Sequence, residues 1–327
     1  VAGGITGEGE QAMILNEDVQ LQIFRQAAYG TDPTTPNGIL MPRGANFTPM
    51  FDRKFIDNPQ IFADGIEREP GLGNQESGND GDVVPNLNFF PYIQKAIAGA
   101  LVETGTGPYT KTSTGIARTA LLHLFEWGYI PLSLYYKFYD MVLEEAHFKC
   151  GVEGIFTVGT KWHGTGNVSF PPSATSLDAT PTEITGPSVE YANLVTLENG
   201  VDGADMRSLD IDIVMPVVEK RVIGKAYAQE LKRKGAKVTG TVELFFESDT
   251  RWARVRAGTP TTLRGTIVAG ATQAQLDLLE VKLQPTGPKV EGEDGILQKY
   301  AYKAFRKTDI TNTPIKMVTT CTTVAID

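Results

Sequence analysis

The strongest constraint on this chain is a period of two. Leu209-Asp210-Ile211-Asp212-Ile213 alternates apolar and polar side chains without interruption, and Leu279-Glu280-Val281-Lys282-Leu283 does so again. Val238-Thr239-Gly240-Thr241-Val242-Glu243-Leu244 keeps the rhythm around a glycine. Successive side chains of a strand point to opposite faces, so such runs bury one face and wet the other. Further strands are expected at 119–127, 137–149, 154–162, 300–305 and 318–326. Glycine and proline, 34 and 19 residues, make up about 16% of the chain against a usual 12% or so, which supplies turns between many short strands.

Helices are fewer. Phe89, Tyr92, Ile93, Ala96, Ile97, Ala100 and Leu101 recur at i, i+3 and i+4, predicting a helix over 88–102. Short helices are expected over 225–234 and over 249–256, the latter capped by Ser248 or Asp249. The Gly- and Asp-rich stretch 71–82 and the stretch 104–115 read as loops. The class is mainly β, a β-rich α+β chain.

A length of 327 residues corresponds to about two domains at roughly 150 residues each. Residues 1–36 read as an extended N-terminal arm, 37–170 as a first β-rich unit, 171–187 as a small, polar, proline-punctuated linker and 188–327 as a second β-rich unit. Both units run from a glycine-containing strand into an aromatic pair and then a helix. The first pair is Phe89-Phe90 and the second Phe245-Phe246. This order suggests duplication; the spacings differ by two residues, so two unrelated α+β units are the alternative.

A search for chemistry returns little. His123, His147 and His163 form no HxH, HExxH or HxxxH pair, so no metal site is expected. Cys150 and Cys321 are far apart and form no CxxC, which points to a reduced compartment. There is no GxSxG elbow, and Gly71-Leu72-Gly73 and Gly105-Thr106-Gly107 complete no phosphate-binding loop. No cofactor is expected. Asp210 and Asp212 share a strand face, which is either a paired-carboxylate site or the solvated side of a sheet. No apolar run reaches about 18 residues and no basic-then-apolar leader opens the chain, so neither membrane spanning nor secretion is expected. With 39 acidic against 30 basic residues, net −9, a binder that works by neutralising phosphates is disfavoured. The one basic cluster is Lys232-Arg233-Lys234, preceded by Lys220, Arg221 and Lys225. It is either a solvated face or an intersubunit contact.

The arm carries Leu21, Ile23, Phe24 and Tyr29 with no core of its own, so these are expected to bury against a neighbouring copy. A β-rich chain with such an arm and no catalytic constellation suggests a building block. Three stretches then carry a resemblance: Gln26-Ala27-Ala28-Tyr29-Gly30-Thr31 with Pro33; Val238-Thr239-Gly240-Thr241-Val242 leading to Phe245-Phe246 and a helix; and Asp294-Gly295-Ile296-Leu297 before an aromatic strand and a Lys-Thr-Asp loop. In these, and in the Pro-rich joint, the chain resembles the two-unit tail tube proteins of bacteriophages with long non-contractile tails.

That resemblance implies two β-sandwich or partly closed barrel units, each with a flanking helix, and a non-enzymatic virion protein assembled in the host cytoplasm. It implies rings of three copies, or of six if only one half is a tube unit, stacked into a tube. Tape measure protein would lie inside, tail terminator and tail tip proteins at the ends, and DNA would pass through the lumen without specific binding. A net acidic subunit suits a conduit that must not hold a polyanion. Pairing edge strands between copies would also remove their aggregation hazard. Two other readings stay open. One is a receptor- or carbohydrate-binding module presenting Trp127, Tyr129, Tyr135, Tyr136 and Tyr139; the other is a hydrolase using Asp210 and Asp212.

Overall fold

The computed structural model describes residues 18–44, 46–56, 71–150, 156–186, 194–198, 201–202, 206–245, 249–284, 289–290, 296–306 and 313–322. The first half contains β1 (Val19–Gln26), β2 (Ile39–Leu40), β3 (Thr48–Ile56), β4 (Gly71–Val83), α1 (Phe90–Ala98), β5 (Val102–Thr104), β6 (Tyr109–Thr114), β7 (Leu122–Tyr129), β8 (Leu134–Cys150) and β9 (Thr157–Gly164). The second contains β10 (Leu194–Glu198), β11 (Val201–Asp202), β12 (Met206–Val214), β13 (Val217–Lys220), β14 (Glu230–Arg233), β15 (Lys237–Phe245), α2 (Asp249–Arg256), β16 (Thr261–Ala269), β17 (Thr272–Leu283), β18 (Lys289–Val290), β19 (Ile296–Ala304) and β20 (Ile315–Cys321). Of the described residues 58% are in strands and 7% in helices, so the fold is mainly β, as the period-two segments require.

The two halves repeat one antiparallel pairing scheme. In the first, β1 pairs with β2 and β7, β7 with β8, β8 with β9, β9 with β4 and β4 with β3. In the second, β10 pairs with β11 and β16, β16 with β17, β17 with β19, β19 with β15 and β15 with β12. Even the irregularities recur. The β7–β8 ladder slips between His123 and Phe125, and β16–β17 slips between Thr261 and Leu263. Likewise β8–β9 slips by one residue after Leu143, and the β19 register shifts by one between Leu283 on β17 and Lys289 on β18. A bulge bends its strand, which suits the long strands β8 and β17. Each gives its first part to one sheet and its last part to the other.

In the first half the two sheets face each other across aromatic contacts. Phe47 stacks on Trp127 at 6.1 Å, and Phe125 meets Trp162 edge-on at 4.9 Å. Gly240 shows why a glycine interrupts the alternation of β15. A Cβ there would stand 2.0 Å from the Asp210 carbonyl oxygen, which accepts a 2.7 Å hydrogen bond from the Tyr302 hydroxyl. The close approach leaves no room for a side chain.

Several expectations need correction. The stretch 71–82 is strand β4, not a loop. Its one large apolar residue, Leu72, is exposed, both its edges are paired, and its inward side chains, Ser77 and Asn79, are buried polar groups. Asn79 Oδ1 accepts from Trp127 Nε1 at 2.8 Å, and Ser77 Oγ from the Gly166 amide at 3.0 Å. Strand preference here is context, not composition. The loop expected at 104–115 contains β6, which pairs with β20 of the other half. The helix expected at 225–234 ends instead in strand β14, where Leu231 and Arg233 point inward and Lys232 outward. The helices at 88–102 and 249–256 are present as α1 and α2.

Part of the supposed arm is also structural. Residues 19–26 form β1, paired along all eight positions with β7. Residues 171–186 are irregular, as a linker would be, yet they are strapped to the first half. Gln22 Nε2 donates to Ser176 Oγ at 3.0 Å, and the Leu177 amide donates to Glu126 Oε2 at 3.0 Å. Burial raises the pKa of the Glu126 carboxyl, and the hydrogen bonds it accepts from Ser176 Oγ and the Leu177 amide work against that rise.

Candidate assembly surfaces

The joint between the halves is an antiparallel ladder. The last part of β8 pairs with β12 from Leu209 opposite Cys150 to Val214 opposite Glu145, and the Met215 amide extends it to the Glu144 carbonyl at 2.7 Å. On the inner face Ala146, Phe148, Ile211 and Ile213 are fully buried. On the outer face Asp212 meets His147 at 2.8 Å, His147 meets Glu145 at 3.1 Å, and Lys161 bridges Glu144 and Glu145 at 3.3 and 3.2 Å. The Lys161 and His147 partners hold the Glu145 carboxyl below its ordinary pKa despite some burial. Asp210 accepts from Thr241 Oγ1 at 2.9 Å. The aspartate pair is thus the polar side of a joint. Among the described residues no three potential ligands gather to hold a metal.

Helix α1 covers this joint. Phe90 packs on Phe148 and Phe156 at 6.0 and 6.3 Å. Gln94 Nε2 donates to the carbonyls of Lys111 and Met317, and its Oε1 accepts from Thr319 Oγ1 at 2.7 Å, so one buried amide ties α1 to β6 and β20. Gly99 follows in the left-handed region at φ 79°, a conformation glycine adopts without strain. Arg233, reaching back from β14, donates to the carbonyls of Ala96, Ile97, Ala117 and Leu143 at 2.7–3.4 Å. Two of these are last-turn carbonyls that a helix cannot satisfy by itself.

The first half has a matching position that stays open. Among the described residues β3, the counterpart of β12, pairs only with β4, so its other edge is unpaired. Beside that edge lies a groove of about 390 Å³ lined by Pro49, Phe51, Tyr129, Tyr136, Val168 and Phe170 among others. Phe51 is 37% and Phe170 64% exposed. Partly exposed aromatics concentrated at one open edge mark an interaction surface.

The residues singled out as contacts are placed as follows. Leu21, Ile23 and Phe24 are buried within the chain at 2, 5 and 2% exposure, because β1 lies against β7. Tyr29 is half-exposed and its hydroxyl bonds both the amide and the carbonyl of Leu231 at 3.0 Å. Gln26 and Gly30 of the same motif donate to Asp140 Oδ1 at 2.9 and 2.7 Å. Lys232 is exposed beside Glu230 at 3.3 Å, Lys234 is exposed, and Arg233 is buried. Of the expected aromatic display, Trp127 is only 3% exposed and lines the groove together with Tyr129 and Tyr136. No local signal reveals the edge: Met50-Phe51 is an apolar pair in a strand, and its exposure at 52 and 37% shows only in the structure. Phe246, Asp294, Gly295 and the Lys307-Thr308-Asp309 loop lie outside the described residues.

His123 is buried edge-on to Trp162 at 5.3 Å, and burial lowers its pKa to about 4, with Arg233 and Arg25 adding to the fall against hydrogen bonding of the ring to the Met141 and Leu121 backbone carbonyls. In the unfolded chain it takes up a proton below about pH 6.5. Its contribution is therefore complete above that value and lost as pH falls from there towards 4. Asp140, its carboxyl raised chiefly by burial, titrates with the opposite sign and offsets part of this. In urea melts, wild type is expected to lose about 2 kcal/mol more than His123→Phe between pH 7 and pH 5. Equal losses would place the acid sensitivity elsewhere.

The outer face of the joined sheet is a mosaic. Asp80, Asp82, Glu145, Asp210, Asp212 and Glu243 alternate with Lys149, Lys161, Lys299 and Lys303 across β4, β9, β8, β12, β15 and β19. The acidic surplus of the chain is not gathered there. No helix among the described residues is long and apolar enough to cross a membrane. A family model described as "Phage tail tube protein" matches residues 16–304, and a search of curated proteins finds no match.

Proposed function

Because the chain belongs to the phage tail tube protein family, a family of structural virion tail components, we propose that three copies close into a ring of six similar units and that such rings stack into the tail tube. The observation that carries this reading is the repeated pairing scheme, in which one unit-to-unit joint is made inside the chain and its counterpart is open. A unit that joins a like unit on one side and offers the same edge on the other forms a closed cycle when the rotation permits. Six such units come from three chains; six chains would be needed if only one half took part.

The outer face of the joined sheet is then the lumen wall. Its interleaved carboxylates and lysines offer DNA no continuous basic track, so the duplex passes without being held. The tape measure protein would occupy the same lumen before ejection, and terminator and tip proteins would close the ends. Assembly would take place in the bacterial cytoplasm.

Native mass spectrometry and negative-stain microscopy of concentrated protein test the reading. The expected particle is a ring of about three times the 35.5 kDa chain with a sixfold outline. A monomer at every concentration, or a ring of six chains, would overturn it.

A further inference from the structure

We propose that the cleft between the end of β1, the connection into β7 and strand β14 is a docking site for an acidic peptide segment of a different protein. The cleft has a volume of about 820 Å³ and shares no lining residue with the aromatic groove. Arg25 and Tyr29 contribute from the end of β1, Arg118 from the connection into β7, and Leu231, Lys232 and Arg233 from β14. This site goes beyond the tube reading and does not rest on it.

The charges in the cleft do not balance. Four cations, Arg25, Arg118, Lys232 and Arg233, face one carboxylate, Glu230. That carboxylate is already held between Lys220 and Lys232, at 3.5 and 3.3 Å. Arg25 and Arg118 are exposed, and among the described residues neither makes a hydrogen bond or an ion pair. Arg233 is buried, its partners are carbonyls, and its Nε has no hydrogen-bond partner. Among the described residues no carboxylate pairs with it. Buried charges are ordinarily matched by an opposite charge, because each ion loses its hydration on burial. Here the matching charge has to come from outside. In a chain of net −9 such a positive site runs against the overall balance.

The lining selects the ligand class. Guanidinium forks bind carboxylates or phosphates through paired hydrogen bonds. Between the cations the floor is apolar: Leu231 is buried with Val142 and Ala228, and Ala120 and Leu122 pack half-buried against them. A single-stranded nucleic acid would need a longer basic track with stacking rings. Tyr29 is the one aromatic residue in the lining, and its hydroxyl is engaged by Leu231. A lone phosphate would fill a small part of the volume and leave the apolar floor uncovered. A peptide with carboxylates on either side of an apolar side chain satisfies both features. The joined sheet of another copy does not offer it, since its carboxylates alternate with lysines and Glu145 and Asp212 are already paired. The occupant is a segment of another protein.

The test titrates the full chain into a fluorescein-labelled Leu-Glu-Glu-Leu-Glu-Glu peptide and follows anisotropy. Saturable binding is expected, and Arg25→Glu with Arg118→Glu should weaken it about tenfold or more. The melting temperature should stay unchanged, because both side chains are exposed and unpaired. Arg25→Gln with Arg118→Gln should lose a smaller part in the same direction. Lys237→Glu with Arg256→Glu changes the net charge equally at two exposed cations outside the cleft and should bind as wild type does. Absence of binding, or equal weakening by both reversed pairs, overturns the site. So does a thymidine octanucleotide or inorganic phosphate that binds as tightly as the peptide. Self-association of the wild type that Arg25→Glu with Arg118→Glu abolishes would assign the cleft to a second copy and overturn the proposal as well. Binding is read on the chain whether or not it forms rings, so failure of the ring leaves this test intact.

Discussion

Arg233→Met is expected to lower folding stability by about 3–5 kcal/mol, as breaking a buried charged network commonly does. The guanidinium is 8% exposed, has its pKa pushed down to about 10 by burial, and faces four carbonyls. Hydrogen bonds from a charged donor are worth about 1.5–3 kcal/mol each, and relief of the buried charge returns part of that loss. Methionine fills much of the volume yet leaves the carbonyls of Ala96, Ile97, Ala117 and Leu143 without this donor. The damage should centre on α1 and its seat over β8, so amide exchange ought to accelerate first in Ile93–Ile97. Lysine should rescue only in part, because one ammonium cannot span four acceptors. Denaturant melts read the magnitude, and a loss below 1 kcal/mol would show that the network contributes little.

Removing residues 1–26 should have a still larger effect and leave no cooperatively folded first half. Leu21, Ile23 and Phe24 are nearly fully buried, at about 1.5–3 kcal/mol each. The ladder with β7 and the Gln26–Asp140 bonds are lost as well. The sum approaches the whole stability of a domain, about 5–15 kcal/mol. Leu21→Ala provides a graded version, with about 2–5 kcal/mol expected. A truncated chain that still melts cooperatively with unchanged near-ultraviolet circular dichroism would mean that β1 is dispensable and that 1–36 behaves as the arm its composition suggests.

The two cases show what was legible. Leu21-Gln22-Ile23-Phe24 looked like an amphipathic piece without a core because its partner, β7, lies about a hundred residues later in the chain. Arg233 looked like part of a solvated basic run because the sequence does not say that a hairpin from the second half folds back over α1. A cation does complement a helix end here, but the helix is α1, not one formed by 225–234. Gly240 was legible as a strand glycine, though not the backbone crossing that demands it. The open edge of β3 could not be read at all. An edge is a relation between strands, and nothing local marks which neighbour is missing.

By itself the sequence determined the mainly β class, the individual strands β12, β15, β17 and β19, both helices and the order shared by the two halves. It could do so because face alternation and helical periodicity are local properties, set within a few residues by backbone geometry. Only the tertiary structure decided that the polar, glycine-rich 71–83 is a strand, that 19–26 is core, and that the two halves repeat one scheme with one joint closed and one open. Those outcomes depend on pairing over long separations, where a segment takes its conformation from its neighbours more than from its own side chains.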